Sequence, residues 1–165
     1  SRGNAAPLDV NAVVRRTVQI MSSDRGDEAT VEANLAESLP PVRIDAEQLR
    51  QVVMNLVKNA VQAMNGRGTV RVATRTRAGR SREGAPWVEI AVADDGPGIS
   101  QKVLKNLFVP FFTTKDRGTG LGLAITRRLA RMLEGDVTVA SAAGQGTTFT
   151  LTVAAAWGAG RAIAA

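Results

Sequence analysis

Hydrophobic positions in residues 9 to 21 recur at helical spacing. Val10, Val13, Val14, Thr17 and the pair Ile20-Met21 share one face, and Asp9 stands where an N-cap belongs. Residues 29 to 35 instead alternate apolar and polar, the period of a strand. Pro40-Pro41 blocks helix and introduces a short apolar stretch, residues 42 to 44. From Asp45 a longer helix is predicted. Asp45 is its N-cap, Gln48 can complete a capping box, and Leu49, Val52, Val53, Leu56, Val57, Ala60 and Met64 repeat on one side until Asn65-Gly66 ends it. Residues 69 to 76 and 87 to 93 alternate in period two around a polar loop with Gly79 and Gly84, which reads as a hairpin.

A short helix is expected over residues 101 to 107, followed by an irregular glycine-bearing segment to 119. A second strong helix is predicted over about 120 to 133, with Leu123, Ile125-Thr126, Leu129 and Met132-Leu133 facing inward and Gly135 stopping it. The last strands are residues 137 to 140 and 147 to 153, around a Gly144-Gln145-Gly146 turn, and 154 to 165 is a tail of small residues. Helices on one side of a mixed sheet give an α+β fold, a two-layer α/β sandwich, as one domain over residues 1 to 153.

With 165 residues and 44% hydrophobic content, the chain can bury a real core. Aromatics make up only 4%, so Val, Leu, Ile, Ala and Met must build that core. There is no Cys, hence no disulfide framework and no thiolate metal site, which fits a reducing compartment. The absence of His excludes His-ligated zinc and Ser-His-Asp chemistry within these residues. The net charge of +6 would suit nucleic acid, but the basic residues are scattered from Arg15 to Arg161 with little aromatic interleaving. A solvated basic surface, partly directed at a nucleotide or an acidic partner, is the plainer reading. No apolar run is long enough to span a bilayer, and Ser1-Arg2-Gly3-Asn4 lacks a signal-peptide pattern and reads as a cut inside a longer protein.

Four clusters carry candidate chemistry. Asn55 and Asn59 stand four residues apart within the long helix, so their amides share a face. An amide oxygen can ligate Mg²⁺, although the spacing also suits two polar-face residues. Asp94-Asp95-Gly96-Pro97-Gly98-Ile99 follows a strand directly; its acid can accept a hydrogen bond from an amino group, and its composition equally suits a turn. Gly118-Thr119-Gly120-Leu121-Gly122-Leu123 opens onto a helix, where freed backbone N–H groups form an anion site or simply a helix entry. No strand precedes it, so the dinucleotide fingerprint is excluded, and no Gly-Lys-Ser/Thr follows, so it is no Walker loop. Finally, Phe108-Val109-Pro110-Phe111-Phe112-Thr113-Thr114-Lys115 holds three of the four Phe, with Lys115 either placed to reach phosphates or merely solvated.

These clusters, in this order, resemble the catalytic and ATP-binding domain of sensor histidine kinases, in the superfamily that includes DNA gyrase, Hsp90 and MutL. The resemblance covers residues 8 to 153. Residues 51 to 64 look like the N box, 94 to 99 the first glycine box, 108 to 115 the F box, 118 to 123 the second glycine box, and 144 to 149 the final glycine-threonine box. The run from Pro110 to Lys115 is most similar to the nitrogen-regulation branch. The resemblance implies a Bergerat-type fold, with a mostly antiparallel sheet. It also implies ATP as substrate and Mg²⁺ as cofactor, with Asn59 as metal ligand. Asp94 would bind the adenine amino group in a pocket shaped by Gly96, Gly98 and Ile99, with Thr148 in the same hydrogen-bond network. Gly118, Thr119, Gly120, Leu121, Gly122 and Leu123 would wrap the triphosphate, and Lys58 and Lys115 are candidates for phosphate contact.

Asn55 occupies the place where hydrolysing relatives carry a Glu that activates water. An amide cannot take that proton. The resemblance therefore implies transfer of the γ-phosphoryl group to a His on a separate dimerising helical domain, upstream in the same parent protein, and indirectly to a response regulator. It implies a cytoplasmic domain, whose parent can be anchored in the inner membrane, with no nucleic acid and no direct membrane contact. A non-catalytic ATP or ADP-binding module and a serine kinase or ATPase of the same superfamily are the alternatives. The chain departs from the pattern at Met132-Leu133-Glu134-Gly135, where the family often has a His, in its short segment between Lys115 and Gly118, and in its tail.

Overall fold

The computed structural model describes residues 6–23, 26, 28–110, 122–142 and 144–156. Its frame is a five-stranded sheet of β2 (Glu28–Asn34), β4 (Arg67–Arg77), β5 (Trp87–Asp94), β7 (Thr147–Ala154) and β6 (Asp136–Ser141), in the spatial order β2-β4-β5-β7-β6. Four helices among the described residues accompany it: α1 (Val10–Ser22), α2 (Ala46–Ala63), α3 (Gln101–Leu104) and α4 (Gly122–Met132). β2 and β4 run parallel because α2 carries the chain back between them, and every other neighbour in the sheet is antiparallel. The expected hairpin is β4–β5, in register from Arg71↔Ala93 to Arg77↔Trp87. Two strands of two residues, β1 (Pro7–Leu8) and β3 (Val42–Arg43), pair beside this sheet; at that length a period is unreadable, and β1 was not expected.

One sheet face carries Val70, Val72, Val88, Ile90, Val92, Phe149, Leu151, Val153 and Val137, all buried in one core with α1 and α2. Strand alternation sends the intervening residues to the other face, which is polar. There Glu89 is buried between Arg75 (2.5 Å) and Arg77 (3.8 Å), with Thr152 Oγ1 donating to it at 3.3 Å. α2 fits its sequence pattern closely: Leu49, Val52, Val53, Leu56, Val57, Ala60 and Met64 are all buried, and Asp45 caps the helix by accepting from the N–H groups of Glu47 and Gln48 at 2.8 and 3.2 Å. Asn65 and Gly66 then turn the chain through positive φ.

Inward facing was expected too widely on the other two long helices. Ile20 is exposed on α1, where Val18 is buried instead. On α4 the buried line passes through Thr126, Ala130 and the following Leu133, while Ile125 and Met132 are 59% and 52% exposed. α4 buries a narrower stripe than α2, where both members of the adjacent pairs Val52-Val53 and Leu56-Val57 are buried, so its apolar residues off that line stay in solvent. α3 is also shorter than the predicted 101 to 107. Ser100 caps it, accepting from Val103 N–H at 3.3 Å, and turns replace the helix after Leu104.

A buried polar triangle fixes the link between α1 and β4. Thr74 Oγ1 donates to Asn11 Oδ1 (2.7 Å) and accepts from Ala36 N–H (3.0 Å), while Asn11 Nδ2 donates to the Ala36 carbonyl (2.8 Å). At the far end of the sheet, β7 is followed by Ala155 and Ala156, whose N–H groups donate to the carbonyls of Pro86 and Pro41 at 2.9 and 2.7 Å.

The turn from α4 into β6 leaves no room for a side chain at Gly135, because a Cβ there would fall within the backbone carbonyl of Thr152. Backbone cannot yield as a flexible side chain does. Gly135→Ala should therefore cost about 3 kcal/mol or more, read as a lowered urea midpoint with unchanged slope. A variant as stable as the parent protein would contradict this close packing.

Candidate functional site

Asp94 ends β5 on the face that α2 covers, so it points into the interior where a loop residue would point to water. It is 7% exposed. Its Oδ1 accepts from the N–H of Gly96 at 2.8 Å, and the backbone N–H of Thr147 donates to the carboxylate as well. Burial nevertheless dominates and raises its pKa above the ordinary value of 3.8. The adjacent Asp95 has the opposite fate. Beyond the strand and exposed, it accepts from Arg71 Nη1 at 3.0 Å and from Thr69 N–H at 3.2 Å, and these bonds lower its pKa. Two neighbouring acids are thus separated by their environments: one solvated and paired, the other buried at a cavity wall.

That cavity encloses about 690 Å³ between the end of α2, the loop after β5 and the start of β7. Asn59, Gln62 and Asn65 supply amides along one side, and Asp94 is the one carboxylate among the described residues that line it. Pro97, Gly98, Ile99, Val103, Leu107, Leu123 and Phe149 form apolar walls, and Thr147 stands beside Asp94. Gly98 takes a φ of 84° in this lining. A largely apolar cavity with a buried acceptor in its wall and neutral amide oxygens along one side fits an amino-bearing heterocycle linked to a polar chain.

Of the residues expected to form a site, Asn59, Asp94, Gly98, Ile99 and Leu123 meet in this cavity, with Gly96 directly behind Asp94. Asn55, Lys58 and Gly122 meet in an adjoining groove of about 340 Å³ with Arg50, Met54, Ile125 and Thr126. The Asn55 amide lies against Gly122 so closely that a Cβ at Gly122 would collide with it. Thr148 requires a correction: it pairs with Ala93 and Ala140 in the sheet, one position out of phase with Asp94, whereas Thr147 pairs with Asp94 and lines the cavity. Lys115, Gly118, Thr119, Gly120 and Leu121 lie outside the described residues.

Sequence reasoning missed Thr147, Gln62, Asn65 and Ser141. The last accepts from Ile99 N–H at 2.8 Å and so anchors the loop after β5 to the end of β6. In sequence, Asn65 carries only the signal of a helix stop. No cluster of three or more potential metal-ligating acids, His or Cys occurs among the described residues. A divalent cation here would need amide oxygen such as that of Asn59, together with oxygens brought by its ligand.

The two acids predict opposite pH dependences of stability. Asp94 has a raised folded pKa, so its contribution is complete below about pH 3.8 and is lost as pH rises through the folded value. Asp95 has a lowered one, so its contribution is present above that same ordinary value and is lost as pH falls through the folded value. In thermal melts from pH 3 to 7, Asp94→Asn should gain stability relative to the parent protein as pH rises, and Asp95→Asn should lose it. Parallel profiles for all three proteins would refute the assignment.

Comparison with known proteins gives a family match over residues 44–156, to the histidine kinase-, DNA gyrase B- and HSP90-like ATPases. The signal transduction histidine-protein kinase AtoS of Escherichia coli (strain K12) is 39% identical over 146 residues, 87% of this chain and 23% of that protein. The sensory histidine kinase/phosphatase NtrB of Rhodobacter capsulatus is 34% identical over 145 residues, 84% of this chain and 41% of that protein. Among solved structures, full-length ShkA in complex with AMPPNP superimposes with a TM-score of 0.76 at 31% identity, over 93% of this chain and 32% of that one. The chain thus spans less than half the length of these relatives. It belongs to the histidine kinase-, DNA gyrase B- and HSP90-like ATPase family, as the ATP-binding catalytic domain of a sensor histidine kinase.

Proposed function

We propose that this domain holds Mg-ATP in the cleft beside Asp94 and presents its γ-phosphoryl group to a histidine on a separate helical dimerisation domain of the same parent protein. The observation that carries this reading is the distribution of acids. Asp94 is the one carboxylate among the described residues lining the cleft, and the adjoining groove at Asn55 has none among its own. Asp94 is committed to the base, so no side chain there is placed to take a proton from water. Such a site aligns ATP and leaves the nucleophile to another domain.

The residues divide the work by their chemistry. Asp94 accepts from the adenine amino group, and Ile99, Leu107 and Phe149 enclose the ring. Asn59 offers its amide oxygen to Mg²⁺, which supplies charge neutralisation on the phosphates when bound. Lys58, at the neighbouring groove, adds positive charge on the phosphate side. Phosphate contact by Lys115, and by Gly118, Thr119, Gly120 and Leu121 with Gly122 at the start of α4, is what the family resemblance implies. The incoming imidazole nitrogen forms the N–P bond as the bond from Pγ to the ADP oxygen breaks, and the imidazole proton passes to an acid on the helical domain. The phosphoryl group then moves on to a response regulator. Service to a response regulator would place the domain in the cytoplasm. Separately, no helix among the described residues is long and apolar enough to cross a membrane.

Two binding measurements and one transfer assay test the proposal. By titration calorimetry, Asn59→Ala should abolish detectable Mg-ATP binding. Asp94→Ala should weaken ADP by about 30-fold or more even without metal, as expected for a charge-assisted bond of ~2 kcal/mol. With γ-labelled ATP, Mg²⁺ and the isolated histidine-bearing domain of the parent, label should appear on that domain, while the chain alone turns over ATP negligibly. Rapid hydrolysis by the chain alone, or unchanged binding in both variants, would refute it.

A further inference from the structure

Ser141 closes β6 and belongs to none of the motifs described above, yet its hydroxyl joins three parts of the cleft. Its Oγ accepts from Ile99 N–H at 2.8 Å, donates to the Gly146 carbonyl at 3.0 Å, and lies 2.9 Å from Thr147 Oγ1. The loop after β5 is tied to the same turn by a second bond, from Gly144 N–H to the Pro97 carbonyl at 2.7 Å.

The arithmetic of protons fixes the direction of the third contact. A serine hydroxyl has one proton and two lone pairs. The backbone N–H of Ile99 can only donate, and the carbonyl of Gly146 can only accept. Those two bonds consume the Ser141 proton and one lone pair. The second lone pair then takes the proton of Thr147. Thr147 is 5% exposed and lines the cleft, and with its proton committed its oxygen offers only lone pairs to a ligand. Its backbone N–H is already given to Asp94. The stretch of cleft wall where Asp94 and Thr147 pair therefore offers two acceptors, the Asp94 carboxylate and the Thr147 oxygen, without an opposing hydroxyl donor from either residue.

The geometry points to Ser141 as a positioning residue: by holding the Thr147 proton it keeps this stretch of the cleft wall acceptor-only, and so selects 6-aminopurine over 6-oxopurine nucleotides. This rests on the reading of the cleft as the base site. An amino group at C6 satisfies the acceptors, whereas a carbonyl there sets its lone pairs against theirs, an unpaired arrangement that a buried site penalises. Without Ser141 the Thr147 hydroxyl can rotate and donate to the 6-oxo group, which relieves the penalty.

Competition between ADP and IDP, which differ at the 6-position, separates selection from general support of the fold. In the parent protein ADP should bind far more tightly than IDP. Ser141→Ala should cut the ADP:IDP preference about tenfold, mainly by improving IDP. Thr147→Val should cut it comparably by weakening ADP, and the double variant should go no further than Thr147→Val, because Ser141 acts through Thr147. Should Ser141→Ala not fold, Ser141→Cys, whose thiol is a weak hydrogen-bonding group, takes its place with the same readout. Equal loss of ADP and IDP in these variants, or an unaltered ratio, overturns the inference and leaves the base site standing. A parent protein that binds neither nucleotide overturns the base site itself.

Discussion

The site depends on a carboxylate kept at the inner end of a strand. The sheet fixes its place: β7 pairs with it directly at Thr147, and the preceding Ala93 pairs with Arg71 of β4. Burial makes its charge costly, and two backbone N–H groups reduce that cost without abolishing it. A ligand that donates to this acid completes the compensation that the protein alone leaves partial. Binding and folding thus draw on the same unfavourable term, which fits the general cost that functional sites impose on stability.

The neighbouring elements serve to make that burial possible. α2 covers the helix-facing side of β4 and β5 with an unbroken apolar stripe; its C-terminal end brings Asn59 and Gln62 to the cavity wall, and the turn after it brings Asn65. Met64, just past the helix, sets its sulfur 3.4 Å from the N–H of Asp95 and so satisfies the backbone immediately after the buried acid. Arg71 holds Asp95 outward. The strand end is therefore clamped in a twist that turns one acid in and the next out.

Much of this was legible in the sequence because it rests on strong local periods. α2 could be read residue by residue, as could the β4–β5 hairpin, and Asp94 was marked by its place after an alternating run and before glycines. What was not legible depends on register between distant segments. Thr147 and Thr148 are the same residue type side by side, so only the pairing of β7 with β5 shows which one reaches the cavity. Ser141 takes its meaning from Ile99, 42 positions away, and no local pattern could announce it. Lys58 follows the reverse logic: it adjoins Asn59 in sequence, yet the helix turns it about 100° toward the neighbouring groove. Ile125 and Met132 have the apolar character of core residues, but position on the one stripe of α4 that touches the sheet decides burial, and both lie off it.

The contact between Asn55 and Gly122 bears on how readily such a scaffold could change its chemistry. The side chain of Asn55 fills the space beneath the start of α4, and Gly122 contributes only hydrogen to that junction. A glutamate at position 55 would be one methylene longer and would bring a charge against the first residue of α4. An acid placed there to activate water would have to turn away from Gly122, into the groove that Lys58 also lines.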